Sequence, residues 1–332
     1  MAQEREQPAV RSAMGTGSPL GGRTSVFVVI VSWNGARWIG AALDSLRANS
    51  YPVKIVVVDN ASGDETVQIV RDTYPEVHFI ALDSNIGFGK ANNIGLSYAL
   101  KQGAHSVFLL NQDARVHREA IAVLVGLLER SAGYGILSPV HLNGEGNGFD
   151  RKFLRYLRDT ALVEDLWFGR EREIYPLEFV NAAAWLVSRE CFLTVGGFDP
   201  LFFAYGEDDD YCSRALFHGF RIGVVPRAMV YHDREQRMAK EGGEHDAGFS
   251  RVEELVTLKD VRRSFGIGLW RLTMRHLESV LLFLRRRRMR QLVRDISELL
   301  FVLSQAPRVW QHRRICYKPG AHWLSRVGDL NR

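Results

Sequence analysis

At 332 residues, 46% of them hydrophobic and 24% charged, the chain can bury one large core or two modest ones, which excludes disorder throughout. Its net charge of +5 is modest and matters only where it is concentrated. Three cysteines (Cys191, Cys212, Cys316) are odd in number and lack C-x-x-C spacing, which argues against a disulfide framework or zinc site and fits a reducing compartment such as the cytoplasm.

Residues 1–24 are rich in Gly, Ser, Ala and charged residues without the apolar run of a signal peptide, and are expected to be a disordered lead-in. From Val26 onward, short β-branched runs alternate with helix-period segments in the order β-α-β-α-β-α-β, the pattern of a parallel sheet covered by crossover helices. Val26 to Val31 reads as a buried strand, and Ile39, Ala42, Leu43 and Leu46 then share one helix face. Lys54 to Asp59 is the second strand, and Ser62-Gly-Asp-Glu65 has capping-box spacing for the next helix. Val77 to Leu82 is the third strand, followed by the glycine-punctuated Asn85 to Lys90 and a helix ending near Gly103. Ser106 to Leu110 is the fourth, and it delivers the chain to Asn111-Gln112-Asp113.

A less regular stretch from Leu142 to Pro176 is expected to carry specificity. A strand from Phe179 to Val187, a helix from Arg189 to Val195 and the turn Gly196-Gly197 lead to the acidic block Gly206-Glu-Asp-Asp-Asp210. A helix ending at Gly219 and a strand from Arg221 to Val225 then reach Tyr231-His232-Asp233. Beyond Glu253 the pattern is helical only: Trp270, Met274, Leu277, Leu281 and Leu284 form one apolar stripe, Leu292, Ile296, Leu299 and Leu303 another, and Pro307 is expected to stop it. Between the stripes lies Arg285 to Arg288, with Arg290 close by. No run of about 18 apolar residues occurs, so no transmembrane helix is expected. Apolar stripes beside clustered arginine suit an anionic membrane surface, packing on the preceding domain being the blander reading; no nucleic-acid-binding motif accompanies the charge, so no nucleic acid partner is expected.

In open α/β sheets ligands bind beyond the carboxyl ends of the strands, and here those ends are polar: Ser32-Trp33-Asn34, Asp59-Asn60, Asn85 and Asn111-Gln112-Asp113. Any one of these could be a turn or cap residue; four in succession suggest a site.

These segments carry a family resemblance. Phe27 to Asn34, Val58 to Ser62, Asn85 to Asn93, Leu109 to Asp113 and Gly196 to Tyr211, continuing to His232, resemble in order and spacing the motifs of the GT-A-fold inverting glycosyltransferase family 2, most of all its rhamnosyl- and galactofuranosyltransferase-like members. The resemblance implies an α/β GT-A domain over 25–235, with a mixed, mainly parallel sheet flanked by helices, a nucleotide-binding half 25–115 and an acceptor half 116–235. Residues 236–332 are then a basic helical extension. It implies transfer of a rhamnose-like or other hexose from a UDP- or dTDP-sugar to a glycan or lipid-linked acceptor in cell-surface polysaccharide assembly, in the cytoplasm or on the membrane's cytoplasmic face.

The chemistry such a transfer needs gives each residue an expected role. Neutralising the leaving diphosphate calls for a divalent cation, Mn²⁺ or Mg²⁺. The family's D-x-D position reads Asn111-Gln112-Asp113, so Asp113 alone brings a carboxylate and His232 matches a second ligand; a histidine suits Mn²⁺ better. Asp208 matches the general base and Glu207 would orient it or bind the acceptor. Crowded carboxylates raise one another's pKa, the direction useful to a base. Nucleotide-sugar binding falls to Trp33, Asn34, Asp59, Asn85, Lys90, Asn111 and Asp113, with Gly87 and Gly89 expected to let the backbone approach the ligand. Asn181, Trp185 and Asp210 are the acceptor-side candidates, Asp210 also reading as a residue behind the site and the strand of Asn181 and Trp185 also reading as a core strand with one buried Trp. Two rivals remain: a nucleotidyltransferase, disfavoured because Ser32-Trp33-Asn34-Gly35 is not a glycine-rich basic loop, and a binding protein of the same fold with weak or no turnover.

Overall fold

The structure is a computed structural model that describes residues 24–233, 247–285 and 289–324. All of the lead-in but Thr24, and most of the Arg285 to Arg288 cluster, therefore lie outside the described residues. Nine strands form one sheet in the order β3-β2-β1-β4-β8-β6-β9-β5, with β7 added to β9. The first four strands, β1 (Val26–Ser32), β2 (Val53–Asp59), β3 (His78–Ala81) and β4 (Ser106–Asn111), pair in parallel and match the expected runs. β1 is buried along its whole length because helices cover both faces. Val28, Ile30 and Val57 point to the side of α1 (Ile39–Arg47), and Phe27, Val29 and Val56 to that of α3 (Phe88–Lys101). Gly95 of α3 sits directly on Val29 and Val58, where a Cβ would collide, so this helix lies close to the sheet.

β8 (Ala184–Ser188) runs antiparallel between β4 and β6 (Tyr134–Asn143), and β9 (Arg221–His232) runs parallel to β6. The short strands β5 (Ala114–Val116) and β7 (Tyr175–Leu177) both pair antiparallel with β9. The parallel ladders are the longer ones, so the sheet is mixed and mainly parallel. In β9 the pairing with β6 jumps from Val225 to Met229, a bulge that contains Pro226, a residue with no N–H to give a ladder. Beyond it, Met229 to His232 turn to meet β5, with His232 opposite Ala114.

Several local expectations are corrected. The strand expected from Phe179 begins only at Ala184. Ser62 does not cap α2 (Thr66–Thr73), whose cap is Glu65 without a side-chain bond; the Ser62 hydroxyl is used instead by Asp59 and the Asn34 amide. Pro307 lies inside α11 (Met289–Cys316), which continues beyond it. Pro307 is exposed, so the strain a proline introduces falls on the solvent side of the helix.

The C-terminal helices α9 (Ala247–Lys259), α10 (Phe265–Arg285) and α11 dock on the α/β unit. Leu201 and Phe202 of the unit pack with Leu258, Leu272, Val302 and Val309 of the helices. Each such buried side chain contributes about 1.5–3 kcal/mol. Charge joins the same interface: the fully buried Lys259 ammonium lies 3.0 Å from Asp199 and 2.8 Å from Asp210, and His312 Nδ1 lies 2.6 Å from Asp199. The Arg214 guanidinium, on α8 (Glu207–Phe217), completes the set at 2.8 Å from Asp210 and donates to the Val195 and Gly197 carbonyls.

Candidate functional site

The polar strand ends knit into one surface at the carboxyl edge of the sheet. Asp59, buried, accepts from the Ser32 hydroxyl at 2.9 Å, the Ser62 hydroxyl at 2.6 Å and the Ser62 amide at 2.9 Å. Asn34, with φ 47°, closes the neighbouring loop: its amide donates to Ser62 Oγ and its side-chain oxygen accepts from Gly63. Asn60 donates to Asn85 Oδ1 and accepts from the Ile86 amide, tying the end of β2 to the loop after β3. Asp59, Asn34 and Asn85 thus spend side-chain atoms on loop geometry, while Trp33 stands 47% exposed above them and Lys90 is exposed on the first turn of α3.

Gln112, in the middle of the Asn111-Gln112-Asp113 segment, carries a role the sequence reading did not assign. Its side-chain amide accepts from the Trp33 N–H at 2.9 Å and donates to the Trp33 carbonyl at 3.1 Å, clamping the end of β1 to that of β4. Gly35 is required beside it, since a Cβ there would strike the Gln112 amide.

Asp113 and His232 are brought together. Asp113 Oδ1 lies 3.3 Å from His232 Nε2, both side chains are buried, and the backbone supports the pair through Asp233 N–H to Asp113 O at 2.9 Å. Asp233 in turn accepts from Trp38 Nε1 at 3.0 Å. The reading of Asp113 as a helix cap does not hold, because β5 follows it and α4 (Ala120–Arg130) begins only later. On the other side of the imidazole, His232 Nδ1 faces Asp150 Oδ2 at 3.3 Å. Asp150 went unnoticed in the sequence. Its visible signal was that of a helix cap, which it also is: Oδ1 accepts from the Lys152 and Phe153 amides at the start of α5 (Arg151–Tyr156). The imidazole is thus flanked by a carboxylate oxygen at 3.3 Å from each ring nitrogen.

This donor set was tested for a divalent cation. Among the described residues no group of three or more His, Cys, Asp and Glu side chains could hold a metal together. Asp150 cannot join Asp113 on the same ion, since it lies against the opposite ring nitrogen. What fits is a two-ligand site of one carboxylate oxygen and one imidazole nitrogen, whose other positions a substrate diphosphate would fill.

The acidic block opens α8. Tyr205 (φ 64°) and Gly206 (φ 84°) are left-handed, so the chain turns sharply into the helix and presents Glu207, Asp208 and Asp209 on its first turn. Glu207 is buried, with Oε2 lacking a hydrogen-bond partner, and burial, followed by the charge of Asp208, pushes its carboxyl up to about 8. Burial and then Asp208 raise the Asp209 carboxyl to about 7. Unfolded, Glu207 releases its proton near its ordinary value of 4.5; folded, it holds it to about 8. Its contribution to stability is therefore complete below about pH 4.5 and lost as pH rises through about 8. Glu207→Gln is expected to flatten the fall in urea midpoint across that window, leaving the smaller part due to Asp209; parallel profiles for both proteins would contradict the shift.

Four expected contacts are corrected. Asp210 is 2% exposed and committed to Arg214 and Lys259, so it faces the helical region and not an acceptor. Trp185 is wholly buried between Phe198 and Tyr211, which makes it core. Gly87 and Gly89 admit protein and not ligand: a Cβ at Gly87 would strike the Phe203 carbonyl, and one at Gly89 the Phe198 side chain. Asn181 and Asn111 each keep a buried side-chain oxygen, and Trp185 its indole N–H, without a hydrogen-bond partner among the described residues.

This geometry accompanies a likeness to known glycosyl-, hexosyl- and rhamnosyltransferases. Residues 27–187 match the model of glycosyl transferase family 2. A low-salt glycan biosynthesis hexosyltransferase of Haloferax volcanii is 30% identical over 54% of this chain and 59% of its own. An N-acetylglucosaminyl-diphospho-decaprenol L-rhamnosyltransferase of Mycobacterium tuberculosis is 27% identical over 66% of this chain and 79% of its own. The chain thus spans less than two thirds of the first of these relatives. Among solved structures, S. aureus TarS in complex with UDP-GlcNAc superposes with a TM-score of 0.55 at 16% identity, covering 89% of this chain and 88% of the other, which shows the shared GT-A fold. Residues 27–187 thus form a glycosyl transferase family 2 domain.

Proposed function

We propose that the chain moves a sugar from a nucleoside diphosphate sugar to an acceptor hydroxyl with inversion, assisted by a divalent cation. The observation that carries this reading is the buried Asp113–His232 pair, 3.3 Å apart at the carboxyl edge of the sheet and backed by Asp150. Asp113 and His232 would hold the ion, which when bound neutralises the charge of the departing diphosphate. Trp33, positioned by Gln112, offers a face for the base or ribose, and Asn111 offers a buried oxygen to a donor hydroxyl. Asp208 is the base that takes the acceptor hydroxyl proton as that oxygen attacks the anomeric carbon from the face opposite the diphosphate. Glu207, protonated at neutral pH, donates a hydrogen bond to the acceptor. The relatives' names support rhamnose or another hexose as the transferred sugar and a glycan or lipid-linked acceptor, and a relative named dTDP-rhamnosyl transferase and the neighbour in complex with UDP-GlcNAc support a dTDP- or UDP-linked donor.

A thermal-shift panel of UDP- and dTDP-sugars with Mn²⁺ and Mg²⁺ tests donor and ion together. Stabilisation is expected from one donor class, and more with Mn²⁺ than with Mg²⁺. Asp150→Asn, by loosening His232, is expected to weaken Mn²⁺ binding about 10–100-fold. No shift with any sugar nucleotide, or equal Mn²⁺ affinity in the variant, would count against the site.

A further inference from the structure

The C-terminal helices bury one face and leave another bare. Leu272 of α10 and Leu292, Val302 and Val309 of α11 face inward, as does His276, 2.8 Å from Glu254 of α9. Outward, α10 shows Trp270, Leu277, Leu281 and Leu284, and α11 shows Met289, Val293, Ile296, Leu300, Leu303 and Trp310. Leu281, Val293 and Leu300 are each more than half exposed, at 56%, 63% and 61%. Phe265 at the start of α10 lies 5.1 Å, ring to ring, from Trp310 near the end of α11, so the two helices form an antiparallel hairpin with both tryptophans at one end. The inward residues dock the hairpin, and the outward stripes stay largely uncovered by the described residues. An apolar surface of this extent marks a binding face.

Charge decides the occupant. Residues 265–316 hold eleven arginines, no lysine and three carboxylates, a larger positive excess than the +5 of the whole chain. Arg271, Arg290, Arg294, Arg308 and Arg314 are exposed and make no ion pair among the described residues. A second copy seated on this face would bring two such arginine-rich segments together, which like-charge repulsion opposes. An anionic lipid surface supplies the opposite charge and takes up apolar side chains to the depth of one helix face, with tryptophan favoured at the headgroup level. No helix among the described residues is long and apolar enough to cross a membrane, so the contact would be peripheral.

We propose that the outward face of the α10–α11 hairpin binds an anionic lipid bilayer, lying in its interface. The binding needs neither donor nor cation, so it stands or falls separately from the transfer chemistry.

The test is flotation of the full chain with vesicles of phosphatidylcholine alone or mixed with phosphatidylglycerol. At least about tenfold more protein should float with the anionic vesicles, and raising the salt should reverse much of the gain. The triple variant Leu281→Glu, Val293→Glu, Leu300→Glu changes only exposed positions and should lose flotation while keeping the thermal melt and any sugar-nucleotide shift of the parent. Flotation that survives the triple variant, or absence of flotation with anionic vesicles, overturns the proposal. A dimer in light scattering that the triple variant dissolves, with no vesicle binding, would assign the face to a second copy instead.

Discussion

Asp208→Asn is expected to lower sugar transfer about 10²–10⁴-fold, the usual worth of a positioned general base, while the donor KM changes little. The reason lies in how the first turn of α8 divides its protons. Glu207 and Asp209, raised to about 8 and about 7 by burial and then by the charge of Asp208, hold their protons to higher pH than ordinary carboxyls, which disfavours both as proton acceptors near neutrality. Only an ionised group can accept the acceptor's proton. Asp209→Asn should therefore cost much less than Asp208→Asn. Steady-state kinetics of the two variants separates the assignments: a severe loss of kcat in Asp209→Asn with near-normal turnover in Asp208→Asn would move the base by one residue.

The second large effect is structural. Lys259→Met removes the ammonium shared by Asp199 and Asp210, both essentially unexposed. Burial alone would depress the Lys259 pKa, yet the two carboxylates outweigh it and hold the side chain charged. For Asp199, burial acts to raise the carboxyl, and His312 and Lys259 overcome it, drawing it down to about 2. Breaking such a cluster from one side typically costs about 3–5 kcal/mol, because the partners stay buried without their counter-charge. The loss should appear as a lower urea midpoint and as faster hydrogen exchange in α9 to α11, with the sheet strands protected as before. A loss below about 1 kcal/mol would show that Arg214 and His312 suffice to neutralise the two carboxylates.

These two residues also show how far the sequence was legible. The four parallel strands could be read from β-branched runs with polar ends, since burial between two helix layers forces that composition locally. Asp113 and His232 were placed by motif, and the fold puts them 3.3 Å apart. Asp150, Gln112 and Lys259 were not legible. Each works through a partner far along the chain, 82, 79 and 49 to 60 positions away, and nothing near it in sequence marks that partner. Asp210 and Trp185 carried two readings each, because a carboxylate beside a catalytic block and an indole beside a site both look functional until burial selects the structural role. Gly87 and Gly89 advertised a close approach correctly but not by what: Phe203 and Phe198 fill the space. The stripes of α10 and α11 had the right period, yet only the packed hairpin tells which side of each helix is left bare.

Release of nucleoside diphosphate from a UDP- or dTDP-sugar, without acceptor, by the wild-type chain and by Asp113→Asn distinguishes a working ion site from an inert pair of side chains. The Asp113–His232 site predicts slow release that requires Mn²⁺ or Mg²⁺, is abolished by chelator and is lost in Asp113→Asn with the fold intact. Release that is indifferent to chelator, or that persists in Asp113→Asn at the wild-type rate, would contradict it.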